Sequence, residues 1–248
     1  MTLLYKNHKV ITIVPVFSEL GKIGKVISKF NKEFSDEVCL VLDQPTKKIK
    51  NEILTATNNV DLPVKLIEND NRRGIGHAIR LGINYALKNK FDIIVVMAGN
   101  NKDDPSEIPK FLDQIVNNDC DYVQGSRFLI GGDHSRTPML RILLIRLYSL
   151  LWSVCTRSLI TDVTNGFRAY KTKIFNNDGI NIWQSWLNGY ELEFYINYKV
   201  KKLGFKTMEI PVSKVYPGKN ESYTKIHPIK DFWSILRPLI YLQFKLRS

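Results

Sequence analysis

VITIVPVFSEL, Val10 to Leu20, is the stretch from which the fold can be read. Its first part, Val10 to Val16, is uncharged and β-branched and closes around Pro15. A short continuous apolar run of that kind predicts a strand buried on both faces, as in a parallel sheet. The residues that follow change period. Leu20, Ile23, Val26, Ile27, Phe30 and Phe34 recur at helical spacing, which predicts a helix within Ser18 to Phe34. Downstream the same alternation repeats. EVCLVLD (Glu37 to Asp43) reads as a second strand ending in an acid, Lys47 to Thr57 as a helix, and VKLIE (Val64 to Glu68) as a third strand. Gly76 to Lys88 is helical in pattern, FDIIVVM (Phe91 to Met97) is a fourth strand, and Pro105 opens a helix through Val116. DYVQ (Asp121 to Gln124) is a short strand. Strands alternating with helices predict an α/β fold, a parallel sheet with helices on both faces. Ligands of such sheets sit at the carboxyl ends of the strands. The polar residues there are Glu19, Asp43, Asp70 to Arg73 and Asn100 to Asp104.

The second half is different in character. MLRILLIRLYSLLWSV (Met139 to Val154) is apolar with only Arg141 and Arg146 charged, which suits a core helix or one lying in a membrane interface. FWSILRPLIYLQF (Phe232 to Phe244) repeats this character, and Pro238 is expected to kink or break it. No stretch of about 18 uncharged apolar residues occurs, so no transmembrane helix is expected. The N-terminus lacks a signal-peptide pattern. Cys39, Cys120 and Cys155 have no metal or redox spacing, which fits a reducing compartment. The four histidines have no paired ligand spacing.

The chain has 248 residues, and its 36 Lys and Arg against 24 Asp and Glu give a formal charge of +12. The excess is concentrated from Lys199 to Ser248. It favours phosphate-bearing substrates or an anionic membrane surface. Charge alone would motivate nucleic-acid binding, and no nucleic-acid motif supports it, so no nucleic-acid partner is expected.

Seven segments, in order, resemble one family. They are IVPVFSEL (Ile13 to Leu20), VLDQP (Val41 to Pro45), NRRGIGHAIRLGINYA (Asn71 to Ala86), VVMAGNNKDDP (Val95 to Pro105), QGSRF (Gln124 to Phe128), DVTNGFRAY (Asp162 to Tyr170) and LGFKTMEIPV (Leu203 to Val212). Together they are similar to the dolichol-phosphate mannose synthase branch of glycosyltransferase family 2. The resemblance implies a GT-A fold, Rossmann-like, with a mostly parallel central sheet flanked by helices and a helical C-terminal portion facing the membrane. It implies a GT-A domain over residues 1–225 and an amphipathic tail, 226–248, packed on it or on membrane.

The resemblance also implies roles for particular residues. Pro15, Val16, Phe17 and Glu19 stand in the turn that lines the nucleotide base, with Ser18 where Asn is usual. Asp43 matches the first acid of an Asp-Asp element whose second acid is absent here, and its place at a strand end favours a ribose or base contact. Arg73 and Gly76 belong to the glycine-rich loop toward the diphosphate. Arg127 and Arg168 lie where relatives turn basic residues to donor or acceptor. Asp162 and Glu193 are the acids to test as base if the acceptor is a hydroxyl, whereas a phosphate acceptor is already an anion and needs none. Lys225 matches a segment that closes over phosphate. Family members usually hold a divalent ion, Mg2+ or Mn2+, on an Asp-x-Asp loop. Here those two acids fall at Ala98 and Asn100. Two explanations stand: Asn100 with Asp103 or Asp104 forms a rearranged metal site, or Lys102 places a fixed positive charge beside the diphosphate.

The function expected on these grounds is transfer of a sugar from a nucleotide-sugar donor to a polyprenyl phosphate or a cell-surface glycan, with inversion. The altered metal loop motivates an alternative, a degenerate protein that binds nucleotide or partner without catalysis. Attachment is expected to be peripheral, at the cytoplasmic membrane face, with a homodimer through the same apolar residues as the rival use of that surface.

Overall fold

The computed structural model describes residues 5, 7–135, 137–214 and 232–247. Strand β1 (Val10–Val16) is buried along its whole length. It lies between β2 (Glu37–Asp43) and β4 (Ile93–Val96), parallel to both, and β3 (Val64–Asn69) adds in parallel outside β2. Beyond β4 come β6 (Arg168–Lys171), β5 (Tyr122–Ser126) and β7 (Thr207–Pro211), giving the seven-stranded order β3-β2-β1-β4-β6-β5-β7. β6 runs antiparallel to both of its neighbours, and the other six strands share one direction. Pairing of β1 with β4 ends at Ile13 opposite Val96, so Pro15 further along, which has no N–H, removes no ladder bond on that side.

Alternate side chains of each strand feed two separate cores. On one face Ile11, Ile13, Cys39 and Val41 pack with α3 (Ile75–Lys88), α5 (Met139–Thr156), α6 (Glu191–Lys202) and α7 (Phe232–Gln243). On the other face Val10, Val14, Val38 and Leu40 pack with α1 (Ile23–Ile27), α2 (Lys47–Thr57) and α4 (Ile108–Val116). This is the two-faced burial that the uninterrupted apolar strands require.

Local chemistry moves several boundaries. The helix expected within Ser18 to Phe34 is only Ile23–Ile27, because Gly21 takes a positive φ of 75° and the Glu19 carboxylate occupies the Phe17 and Ser18 N–H groups. Phe30 and Phe34 are still buried, so their spacing serves the core without being helical. Pro105 opens a short 3-10 turn rather than the α-helix itself, with the Asp104 side chain capping the Ser106 N–H at 3.0 Å. Pro238 lies inside α7 and does not end it. Its missing hydrogen bond is offset by packing, which includes a Glu191–Arg237 ion pair and a Tyr148 hydroxyl donating to the Ile235 carbonyl.

Helix α5 has two unlike faces. Ile145, Tyr148, Ser149, Trp152 and Thr156 are buried at helical spacing, with the Trp152 ring stacked on Phe194 at 5.5 Å between centroids. The opposite face is apolar and exposed, with Leu143 at 63% and Leu147 at 54% of full exposure. By length and composition alone α5, with Arg141 and Arg146 as its two charges, is long and apolar enough to cross a membrane. Its buried face nevertheless ties it to α6 and the sheet.

Candidate functional site

From β1 the chain moves to β2 and β3 on one side and to β4 on the other, so a crevice opens at the carboxyl ends of β1 and β4. Pro15 and Val16 are buried at the end of β1, and Phe17 is half-buried just beyond. The Arg72 guanidinium lies 4.2 Å from the centre of the Phe17 ring. Exposed Arg72 thus comes from the glycine loop to cover the turn expected to line a base, a cation over an aromatic face. Glu19 is buried and holds the turn through the Phe17 and Ser18 N–H groups, the latter at 2.7 Å. In this position it shapes the backbone that a base would meet.

Asp43 ends β2 with its carboxylate turned into the protein. It accepts from the Asn69 side-chain amide at 2.9 Å, the Arg73 N–H at 3.0 Å and the Gly74 N–H at 2.9 Å. It therefore fastens the glycine loop to the sheet, while the Arg73 side chain is exposed. Gly74 needs its positive φ of 98°. Gly76 is required by close approach: a Cβ there would stand 2.4 Å from the carbonyl oxygens of Leu187 and Gly189. The start of α3 is seated on that segment, with the His77 N–H donating to the Asn188 carbonyl at 3.1 Å. The buried Arg80 guanidinium donates to the Ile182 and Gln184 carbonyls, both at 3.1 Å, and to the Asn188 side chain.

The loop after β4 carries the residues expected to hold a metal, and their donor set does not fit one. The Asn100 side-chain oxygen accepts the Lys102 N–H at 3.1 Å, an Asx turn completed by Asn101 at φ 58°. Asp103 is buried and paired with the Lys214 ammonium at 2.7 Å, and its other oxygen accepts the Ala98 N–H at 3.4 Å. Asp104 is committed to its cap and to Lys29 at 3.3 Å. Burial pushes its carboxyl up, and the Ser106 and Lys29 contacts outweigh that and hold it below the ordinary carboxylate value. No group of three or more His, Cys, Asp or Glu among the described residues could hold a metal ion. Asn100, Asp103 and Asp104, the residues of the rearranged site, thus each already have partners within the chain.

Lys102, in contrast, feels three cations from other parts of the chain. Lys22 precedes α1, Arg141 lies in the first turn of α5, and Lys214 follows β7; all three act on the Lys102 ammonium, as does Asp103 with opposite sign. Burial and then those cations lower the Lys102 pKa to about 8. Lys22, Arg141 and Lys214 were missed as site residues in the sequence. The signal for Lys214 was available, since it follows a strand end on the ligand side of the sheet.

The four residues expected to be catalytic are placed in the interior. Arg127 and Asp162 form a bidentate ion pair, Nε to Oδ2 at 2.6 Å and Nη2 to Oδ1 at 2.7 Å, with side chains 2% and 0% exposed. Arg168, 1% exposed, spends its guanidinium on the carbonyls of Asn165 at 2.8 Å, Glu193 at 2.6 Å and Val163 at 3.0 Å. The Glu193 carboxylate faces Arg168 at 3.8 Å. These groups brace the 162–168 segment against β5 and α6. Glu209, quoted within its motif but assigned no role, completes this brace by accepting the Thr161 N–H at 2.8 Å and hydroxyl at 2.7 Å. Lys225 lies outside the described residues.

A family profile described as Glycosyl transferase family 2 matches residues 11–179. An undecaprenyl-phosphate mannosyltransferase of Micrococcus luteus is 23% identical over 86% of this chain and 86% of its own length. A polyprenol monophosphomannose synthase of Mycolicibacterium smegmatis is 22% identical over 84% of this chain and 77% of its own. Among solved structures, glucosyl-3-phosphoglycerate synthase from Mycobacterium tuberculosis, in complex with Mn2+, uridine diphosphate and phosphoglyceric acid, superposes with a TM-score of 0.69 at 12% identity. It covers 97% of this chain and 78% of the other. At that identity the likeness carries the GT-A fold alone.

Proposed function

We propose that this chain, which belongs to glycosyltransferase family 2, transfers a sugar from a nucleotide-sugar donor to a polyprenyl phosphate at the cytoplasmic membrane face. The observation that carries the acceptor is the position of Arg141. It lies in the first turn of α5, within electrostatic reach of Lys102, and begins the helix whose outward face is exposed leucine. A phosphate group held at this basic cluster would leave its isoprenoid chain beside that apolar face. The donor base lies against Phe17 beneath Arg72, on a turn shaped by Glu19, and the diphosphate lies toward Lys102. A phosphate acceptor is anionic near neutral pH and attacks without a general base. That agrees with Asp162 and Glu193 being committed to arginines.

The test is incubation of the purified chain with uridine- and guanosine-diphosphate sugars and undecaprenyl phosphate in vesicles. A lipid-linked sugar phosphate detected by mass spectrometry is expected, with one nucleoside diphosphate released per sugar moved. Donor hydrolysis without any lipid product would overturn the acceptor.

The exposed face of α5 gives a second expected result. Replacing Leu143, Leu147 and Leu150 together by Glu removes apolar area and repels anionic lipid. The triple variant is expected to stay in the soluble fraction of a flotation assay with phosphatidylglycerol vesicles while the parent floats. If instead the parent is a dimer that the triple variant converts to monomer, with lipid binding unchanged, the face belongs to a second copy of the chain.

A further inference from the structure

We infer that Arg237 of α7 is a positioning residue for nucleotide binding: through buried Glu191 it fixes the 187–189 segment on which the glycine loop is seated. This rests on the proposed donor site.

The glycine loop has its floor in the segment before α6. A Cβ on Gly74 would stand 2.6 Å from the Asn188 carbonyl oxygen, and one on Gly76 would stand 2.4 Å from those of Leu187 and Gly189. An approach this close holds only while the floor keeps its place. Arg80 ties the floor to α3, through the Ile182 and Gln184 carbonyls and the Asn188 side chain. Helix α7 ties it to the rest of the domain. The Arg237 guanidinium donates to Glu191 Oε1. The Glu191 carboxylate in turn lies against Gly189, where an added Cβ would meet its Oε2 at 2.5 Å. Ahead of the segment, the Trp186 ring meets Tyr241 of α7 edge-on at 5.5 Å between centroids. Arg237 and Tyr241 stand at i and i+4 of one helix, so a single face of α7 holds the segment before and after Asn188. The helix is itself anchored, by the Tyr148 hydroxyl on the Ile235 carbonyl and the Tyr198 hydroxyl on the Leu242 carbonyl at 3.4 Å.

Burial makes this pair decisive. The Glu191 side chain is 2% exposed, and among the described residues its only ion pair is with Arg237. Its Oε2 has no hydrogen-bond partner. A carboxylate so placed is stable beside a cation and costly without one. When Arg237 loses its charge, the Glu191 carboxylate turns toward water, and the Gly189 backbone packed against it yields. The Leu187 and Gly189 carbonyls then leave the positions that Gly76 fits, and the loop that carries Arg72 over Phe17 shifts with them. Arg237 thus acts on the nucleotide through Glu191 and the glycine loop, not by contact.

The experiment is calorimetric titration of the full chain with uridine diphosphate and with guanosine diphosphate in excess Mg2+, at a temperature at which every variant used is folded. Arg237→Met keeps an apolar stem and removes the charge. It is expected to weaken binding of the accepted nucleotide by about 3- to 30-fold, the range of coupling carried through packed neighbours. The double variant Glu191→Gln, Arg237→Met leaves no buried charge and is expected to return to within about threefold of the parent. Arg237→Lys should keep most of the affinity. Gly204→Ala, on the far side of α6 from the loop in sequence, shows what lost stability alone does to binding. Tyr241→Leu, which releases Trp186, should weaken binding in the same direction, and it carries the test if Arg237→Met does not fold. Parental affinity in Arg237→Met, or in Tyr241→Leu where that variant stands in, overturns the inference and leaves the donor site standing. So does a double variant as weak as Arg237→Met, since Arg237 would then act without Glu191. An equal loss of affinity in Gly204→Ala overturns it as well. Absence of binding by either nucleotide to the parent overturns the donor site itself.

Discussion

Asp162→Ala is expected to lower the stability of this protein by about 3–5 kcal/mol, the cost of leaving a buried charge without its partner. The Arg127 side chain is 2% exposed, and Asp162 supplies two of its guanidinium contacts as well as accepting its backbone N–H at 3.2 Å. Removing the carboxylate strands a permanent cation, because arginine does not deprotonate in response. The same carboxylate accepts from the Thr164 hydroxyl at 3.1 Å, so the 162–168 segment loses its anchor on β5. Urea unfolding of parent and variant measures the effect. The result also separates two roles. A catalytic base replaced by Ala would leave the midpoint in place and abolish transfer. A structural pair shifts the midpoint, and activity per folded molecule survives under stabilising conditions. A variant as stable as the parent but inactive would return Asp162 to the chemistry.

Gly76→Ala is the second large effect, and its cause is steric. The added methyl would meet two backbone carbonyl oxygens at 2.4 Å, those of Leu187 and Gly189, and backbone cannot swing aside as a flexible side chain can. Either α3 or the segment before α6 must move. The contacts that fasten them together, from His77 N–H and Arg80 to Asn188, would be lost in consequence. Overpacking of a rigid contact costs about 1–3 kcal/mol and sometimes more. Because the glycine loop is held at its other end by Asp43, the displacement should propagate to Arg72 over Phe17. Nucleotide affinity and melting temperature should therefore fall together. Gly204→Ala is the control for a generic glycine effect: it has a positive φ of 76° but nothing within reach of its Cβ, so it should lower stability without touching nucleotide affinity. A Gly76→Ala protein with parental melting and affinity would remove the close approach from the account of the loop.

The outcomes for Asp43, Asp103, Asp162 and Arg168 show where reading by residue type has its limit. Asp43, Asp162 and Arg168 were singled out at motif positions, and Asp103 as an acid following the altered Asp-x-Asp loop. In the fold, Asp43 ties loop to sheet, Asp103 orients Lys214, Asp162 neutralises Arg127, and Arg168 gathers carbonyls. A charged residue beside a ligand and one that braces the ligand's platform look alike in sequence, since both need the same chemistry at the same strand end. What separates them is whether the polar atoms are already used.

The amino-acid sequence by itself determined the first five strands, the helices that alternate with them and the two-faced sheet, because hydrophobic period is a local property; β6 and its antiparallel place between β4 and β5 came from the tertiary structure. The sequence also placed the crevice, since ligands of an open α/β sheet bind where strand order reverses. The tertiary structure alone decided the partners. Asp103 meets Lys214 across 111 positions of sequence and Arg127 meets Asp162 across 35. It alone brought Lys22, Arg141 and Lys214 to Lys102, and it alone divided α5 into a face buried on α6 and a face left to solvent. Pairings of that kind are set by how whole elements pack, and no local period encodes them.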